Sequence, residues 1–165
     1  QPIRLILSDV DGVLTDGGII LDNRGIEIKR FHVRDGMAIR LWHKAGYQFG
    51  LITLRSSQII KLRVAELGIE LVRQGIEDKL LALRQLAKEL QLDLAQVCYL
   101  GDDLPDLAPI RAVGLGVAVA DACEELRLAA QYVTRLSGGN GAVRETIEVI
   151  LKAQRRWEEL IRSYR

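Results

Sequence analysis

Along most of the 165-residue chain, short apolar runs alternate with stretches in which apolar residues recur every three or four positions. The runs read as buried strands and the periodic stretches as amphipathic helices. Their alternation predicts an α/β fold on a parallel sheet. Strands are expected over 3–10, 49–53, 69–72, 97–100 and 113–119, the last interrupted by glycine. Helices are expected over 37–45, with Asp35 as N-cap and Gly46 as stop, and over 57–67, stopped by Gly68. The next, 80–90, places Leu80, Leu83, Leu86, Ala87 and Leu90 on one face, and Pro105 suits the first turn of another. A long terminal helix is expected from Ala142 to about Tyr164. One segment breaks the alternation. Residues 19–21 and 27–32 read as two strands joined by Asp22-Asn23-Arg24-Gly25, a hairpin projecting beside the ends of the sheet strands. With no repeat, low-complexity tract or linker in view, a single domain over 1–165 is expected.

Composition narrows the partners. Twenty-three basic against 22 acidic residues leave a net charge of +1, which argues against a nucleic-acid or membrane partner. No run approaches the ~18 apolar residues of a membrane span, and no secretory signal is visible. Cys98 and Cys123 lie in no metal-ligand spacing, and Cys98 sits inside an apolar run, so a reducing, cytoplasmic setting is expected. The chain opens at Gln1 and its one methionine is Met37, so a native start upstream is expected, which leaves room for a short leader or a whole preceding domain.

The candidate chemistry begins at Asp9 and Asp11, which close the first apolar run and lead into Gly12-Val13-Leu14-Thr15-Asp16-Gly17. A glycine turn can bend both carboxylates toward one small site. Unit charges ~4 Å apart near a protein surface repel by ~4 kcal/mol, so the pair predicts a metal site, a pair with one acid kept protonated, or both. In open parallel sheets ligands bind beyond the carboxyl ends of the strands. Asp9/Asp11, Thr53 and Asp102/Asp103 all stand at such ends, and Lys79 opens the helix that follows Gln74-Gly75. Thr53 and Lys79 can donate to phosphoryl oxygens, while Asp9 and Asp102 offer hard oxygens to Mg²⁺. Asp106 reads as a complement to a helix N-terminus ahead of a direct ligand. Asp103 reads equally as an N-cap and as a support behind the metal ligands.

Taken together, Asp9-Val10-Asp11-Gly12-Val13-Leu14-Thr15, Thr53, Lys79 and Gly101-Asp102-Asp103-Leu104-Pro105-Asp106 resemble the motifs of the haloacid-dehalogenase-superfamily phosphatases, in the family's order. The resemblance implies a Rossmann-like, three-layer parallel sheet. It implies Asp9 as nucleophile forming an aspartyl-phosphate, and Asp11 as general acid and then base. It further implies Mg²⁺ held by the Asp9 side chain, the Asp11 backbone carbonyl and Asp102, with Thr53 and Lys79 completing the electrostatic cradle.

No stretch is long enough for an inserted cap domain, so an open site is expected, with hairpins of residues 17–32 joining subunits that cover one another's sites. That design, together with Asp9 to Gly17, Phe31 to Gly36 and Ser137 to Glu145, resembles the capless 3-deoxy-D-manno-octulosonate 8-phosphate phosphatases, which are homotetramers. The resemblance implies a phosphorylated sugar-acid substrate met by Asp11, His32, Val33, Arg34, Asp35, Gly36, Arg40, Arg55, Arg63 and Lys79. Guanidinium groups suit a carboxylate and a phosphate bidentately. Arg40 and Arg63 read evenly as a solvated helix face. Residues 156–165 read as an exposed helix end ahead of a mobile lid. One position departs from the family pattern: Leu54 stands where glycine precedes the arginine, which puts the sugar acid's identity in question. A nine-carbon sugar-acid 9-phosphate phosphatase or a module of a sugar-acid cytidylyltransferase remains an alternative, as do a phosphoacceptor signalling domain and a catalytically silent regulatory domain.

Overall fold

The computed structural model describes residues 1–165. Strand β1 (Leu5–Ser8) is buried along its whole length, as its unbroken apolar sequence requires. The chain then forms the hairpin β2 (Ile20–Leu21) and β3 (Glu27–Ile28), antiparallel with Ile20 opposite Ile28. Asp22 closes its turn by accepting from the Arg24 and Ile26 amides at 2.8 and 2.9 Å. Helix α1 (Val33–Lys44), β4 (Gln48–Ile52), α2 (Gln58–Leu67), β5 (Leu71–Arg73) and α3 (Lys79–Glu89) follow. Then come β6 (Val97–Gly101), a 3-10 turn (Leu104–Asp106), α4 (Leu107–Ala112) and β7 (Leu115–Ala118). The chain closes with α5 (Glu124–Ala129), β8 (Tyr132–Val133), α6 (Ala142–Ala153) and α7 (Trp157–Ile161).

The main sheet has the order β5-β4-β1-β6-β7-β8, with every pairing parallel. Helix α1 meets α2 and α6, while α3, α4 and α5 meet in series. Right-handed crossovers place these two groups on opposite faces, which makes three layers. The chain moves outward from β1 through β4 to β5, then returns past β1 to β6. This reversal opens a crevice at the carboxyl ends of β1, β4 and β6, and no inserted domain lies over it.

Several boundaries differ from the sequence expectations. Helix α1 starts a turn earlier than 37. His32, not Asp35, is its N-cap, accepting from the Arg34 amide through Nδ1 at 3.3 Å. Asp35 lies inside the first turn, buried, and accepts from the Arg144 amide at 2.8 Å, so it caps α6 across the layer. The long terminal helix breaks after Ala153, where Arg155 takes a left-handed φ of 58°. The break turns α7 so that Trp157 and Leu160 are buried. The strand segment 27–32 shortens to Glu27–Ile28. Helix α5 and strand β8 were not expected; both are short, and β8 is only a two-residue edge strand.

Candidate active site

The loop after β1 is built around one carbonyl. The Val10 oxygen accepts from the amides of Val13, Leu14 and Thr15 at 2.9–3.2 Å, which curls the chain back over the strand end. Thr15 Oγ1 in turn accepts from the Gly12 and Gly17 amides at 3.2 Å. Gly12 has a φ of 90°, and a Cβ there would collide with the carboxylate of Asp102. Gly138 lies so close behind that a Cβ would overlap the Gly12 carbonyl. The Gly138–Gly141 loop is therefore packed backbone-to-backbone against the Asp9 loop, and is more than a connection into α6.

Asp9, Asp102 and Asp106 each bring a carboxylate oxygen within 4.8 Å of the others. Lys79, the first residue of α3 and buried, reaches between them. Its Nζ lies 3.1 Å from Asp9 Oδ2 and donates to Asp106 Oδ1 at 2.7 Å. Asp78, just before it, caps α3 by accepting from the Leu81 amide at 2.9 Å, which fixes where Lys79 leaves the helix. Asp106 is the most occupied of the three. It also accepts from the Tyr99 hydroxyl at 2.7 Å and the Asp102 amide at 3.0 Å. Asp106 complements the start of the 3-10 turn, accepting from the Asp102 and Asp103 amides, and, fully buried, it also anchors Lys79. Asp103 accepts from the Leu104 amide at 2.8 Å and is the cap of that turn.

Burial, followed by the Asp106 charge, raises the Asp9 pKa to about 6 against the pull of Lys79 and the Val10 amide. Burial, then the charges of Asp9, Asp106 and Asp103, raise Asp102 to about 8. Lys79 lies above its ordinary value, because Asp9 and Asp106 outweigh the cost of burying it. Negative charge is thus in excess. The Asp102 side chain accepts no hydrogen bond within the chain, and the space beside it is kept open by Gly12. Asp9 and Asp102 form a hard-oxygen donor set that fits a magnesium ion.

Beyond the cluster, Asp11 carries an ion pair from the hairpin, where Lys29 Nζ donates to its Oδ1. Arg55 Nη1 pairs with Glu27 Oε1 at 2.8 Å and stands 3.9 Å from Asp11 Oδ1. Thr53 is buried directly after β4, and the register Ser8↔Leu51 sets it at the same edge as Asp9. Leu54 needs no left-handed torsion, since the only non-glycine residues with positive φ are Gln91 and Arg155. The remaining expected residues make their contacts elsewhere in the chain. His32 and Arg34 line a separate cavity of about 690 Å³ together with Arg135, Asn140, Arg144 and Lys152. Arg63 pairs with Glu66 at 2.8 Å, stacks on Phe31 at 5.3 Å and covers Gly36. Arg40 Nη2 donates to the Glu66 carbonyl at 3.5 Å, Asp35 caps α6, and Val33 is exposed to solvent on its helix turn. Lys29 and Glu27 were missed from sequence, although their two-residue spacing on a strand already put both side chains on one face.

Residues 63–145 match the family model described as haloacid dehalogenase-like hydrolase. The chain is 47% identical over 156 residues to the 3-deoxy-D-manno-octulosonate 8-phosphate phosphatase of Yersinia pestis, covering 94% of this chain and 83% of that protein. It is 45% identical over 159 residues to the Escherichia coli K12 enzyme of the same name, covering 96% and 85%. The crystal structure of the Moraxella catarrhalis phosphatase in complex with a magnesium ion, a phosphate ion and a KDO molecule superposes with a TM-score of 0.97 at 44% identity, covering 99% of this chain and 94% of that one. A cobalt-bound form of the Haemophilus influenzae phosphatase gives a TM-score of 0.89 at 41% identity, over 92% and 89%. A fold this similar over nearly the whole length, with a lysine-bridged carboxylate cluster at its strand ends, places the chain among the haloacid dehalogenase-like hydrolases, in the family of the 3-deoxy-D-manno-octulosonate 8-phosphate phosphatases.

Proposed function

We propose that the chain hydrolyses the phosphomonoester of an eight-carbon sugar acid, 3-deoxy-D-manno-octulosonate 8-phosphate, with Mg²⁺ as cofactor. The observation that carries this reading is the arrangement of Asp9, Lys79 and Asp102 at one strand edge, with Asp11 two residues beyond the nucleophile. Relatives at 44–47% identity bearing that activity's name support the choice of substrate. Asp9 attacks phosphorus, forming an aspartyl-phosphate as the bond to the sugar oxygen breaks. Asp11 gives its proton to that departing oxygen. It then takes one from the water whose oxygen displaces Asp9, releasing phosphate. Lys79 holds the Asp9 carboxylate at 3.1 Å and presents positive charge to the phosphoryl oxygens, and Thr53 offers them a hydroxyl. Asp9, Asp102 and the Asp11 backbone carbonyl would hold the magnesium ion, which when bound neutralises phosphoryl charge.

The sugar acid's carboxylate is assigned to the arginines at the mouth, Arg55 first. Val33 to Gly36, His32, Arg40 and Arg63 lie along α1 and α2, where an adjoining subunit could bring them to a neighbour's site. Supporting such an assembly, the hairpin exposes Ile19, Ile20, Leu21, Ile26 and Ile28. A homotetramer built on these hairpins is proposed. A reducing, cytoplasmic setting is proposed as well, both cysteines being free. No helix is long and apolar enough to cross a membrane.

Phosphate release measured with Mg²⁺ on eight- and nine-carbon sugar-acid phosphates, with hexose phosphates as comparators, tests the substrate. The eight-carbon ester should have the highest kcat/KM, and Asp9→Asn should reduce turnover to background. Preference for hexose phosphates would remove the sugar-acid assignment, and turnover surviving in Asp9→Asn would remove the mechanism.

A further inference from the structure

The proton exchanged at Asp11 demands a carboxylate held in one orientation, yet the loop that carries Asp11 gives its side chain no hydrogen-bond donor. The donor comes from the hairpin. Lys29 has a side chain only 2% exposed, and its ammonium is shared between Asp11 Oδ1 and Glu27 Oε1, the latter at 3.1 Å. Arg55 closes the group by pairing with Glu27 at 2.8 Å. Two acids and two cations balance when Asp11 is ionised, and when it carries the proton Lys29 still occupies Oδ1, which leaves the proton to Oδ2. A buried ammonium is tolerated only when its partners are well placed, which makes this geometry stiff. Oδ1 of Asp11 is taken, and Oδ2 has no partner in the chain.

We infer that Lys29 is a positioning residue for the phosphatase reaction: from the hairpin it fixes the Asp11 carboxylate, leaving Oδ2 to exchange the proton. The inference rests on the proposed acid–base role of Asp11. Glu27, two residues earlier on the same face of the hairpin, holds Lys29, and Arg55 holds Glu27. Correct seating of β2 and β3 is therefore a condition for proton transfer, and a misoriented acid loses most of its advantage.

A leaving group that departs without a proton separates this role from mere anchoring of the hairpin. Lys29→Met, Lys29→Arg and Asp11→Asn are compared with the unaltered protein on an alkyl phosphate and on p-nitrophenyl phosphate. The measured quantity is kcat/KM, which covers the steps up to departure of the leaving group. Lys29→Met should lose roughly 10²-fold on the alkyl ester and less than about threefold on the aryl ester. Retained aryl activity also certifies a folded site. Lys29→Arg should recover most of the alkyl activity, and Asp11→Asn should show the same selective loss as Lys29→Met. Equal losses of Lys29→Met on both esters, or no loss, would overturn the role of Lys29 while a selective loss in Asp11→Asn leaves Asp11 as the acid. Equal losses in Asp11→Asn would remove the acid role itself, and that of Lys29 with it.

Discussion

Lys79 spends its charge twice, on Asp9 at 3.1 Å and on Asp106 at 2.7 Å, in a site where its side chain is 2% exposed. The two contacts serve different ends. The proposed nucleophile Asp9 must be free to attack phosphorus, so the contact that keeps the ammonium in place is the one to Asp106, itself fixed by Tyr99 and the Asp102 amide. Asp106→Ala leaves a half-paired buried ammonium and an orphaned tyrosine hydroxyl. It also removes a negative charge that repels Asp9 and Asp102. The loss outweighs the relief, and urea unfolding should report destabilisation by about 2 kcal/mol. An unchanged midpoint would mean that Asp106 does not anchor Lys79. At this scale the cluster itself was legible in sequence, because Asp9, Asp102 and Lys79, which the structure brings together, are charged residues at strand ends and a helix start. Lys29 was not, because the partner of Asp11 is chosen by how the hairpin folds back.

The hairpin is the element whose composition disagrees most with its surroundings. A two-stranded ribbon is marginal on its own, yet this one exposes five large aliphatic side chains. Burying an isoleucine is worth about 1.5–3 kcal/mol, so contact with a second copy would stabilise both hairpins. Ile20 and Ile28 face each other across the pair, and charging both positions should break the assembly. Ile20→Lys with Ile28→Lys should sediment as a monomer where the unaltered chain sediments as an oligomer. A monomeric unaltered chain would leave the exposed isoleucines without the proposed use. Among the helices, the 3.6-residue pattern located α2 and α3 to within a residue or two, since Ser57, Gly68 and Asp78 mark their ends with side-chain caps or a left-handed glycine. The start of α1 was misplaced because Asp35 looks like a cap in sequence, while the N-terminus it caps belongs to α6, over one hundred residues away in the chain.

For the molecule as a whole, the carboxylate cluster links stability to pH and to divalent cations. Asp9 and Asp102 have folded-state pKa values of about 6 and about 8, above their ordinary 3.8. Between those limits the ion-free folded state holds protons that the unfolded chain has released, so its stability falls as pH rises through the window. Thermal melts without divalent ions should therefore show Tm declining from about pH 5 to about pH 8. Adding Mg²⁺ relieves the repulsion, and the rise in Tm should be larger at the higher pH. A rise that is equal at both ends would show that the cluster does not take the ion as ionised carboxylates. The sequence by itself determined the α/β class, the central strands and the strand ends at which the carboxylates of the cluster stand, because hydrophobic periodicity and charge are both written in residue type and spacing. Only the tertiary structure decided which groups meet. Lys29 with Asp11, Asp106 with Lys79, Asp35 with α6, and Gly138 against Gly12 are contacts between distant segments, set by crossover direction and packing, for which no local pattern exists.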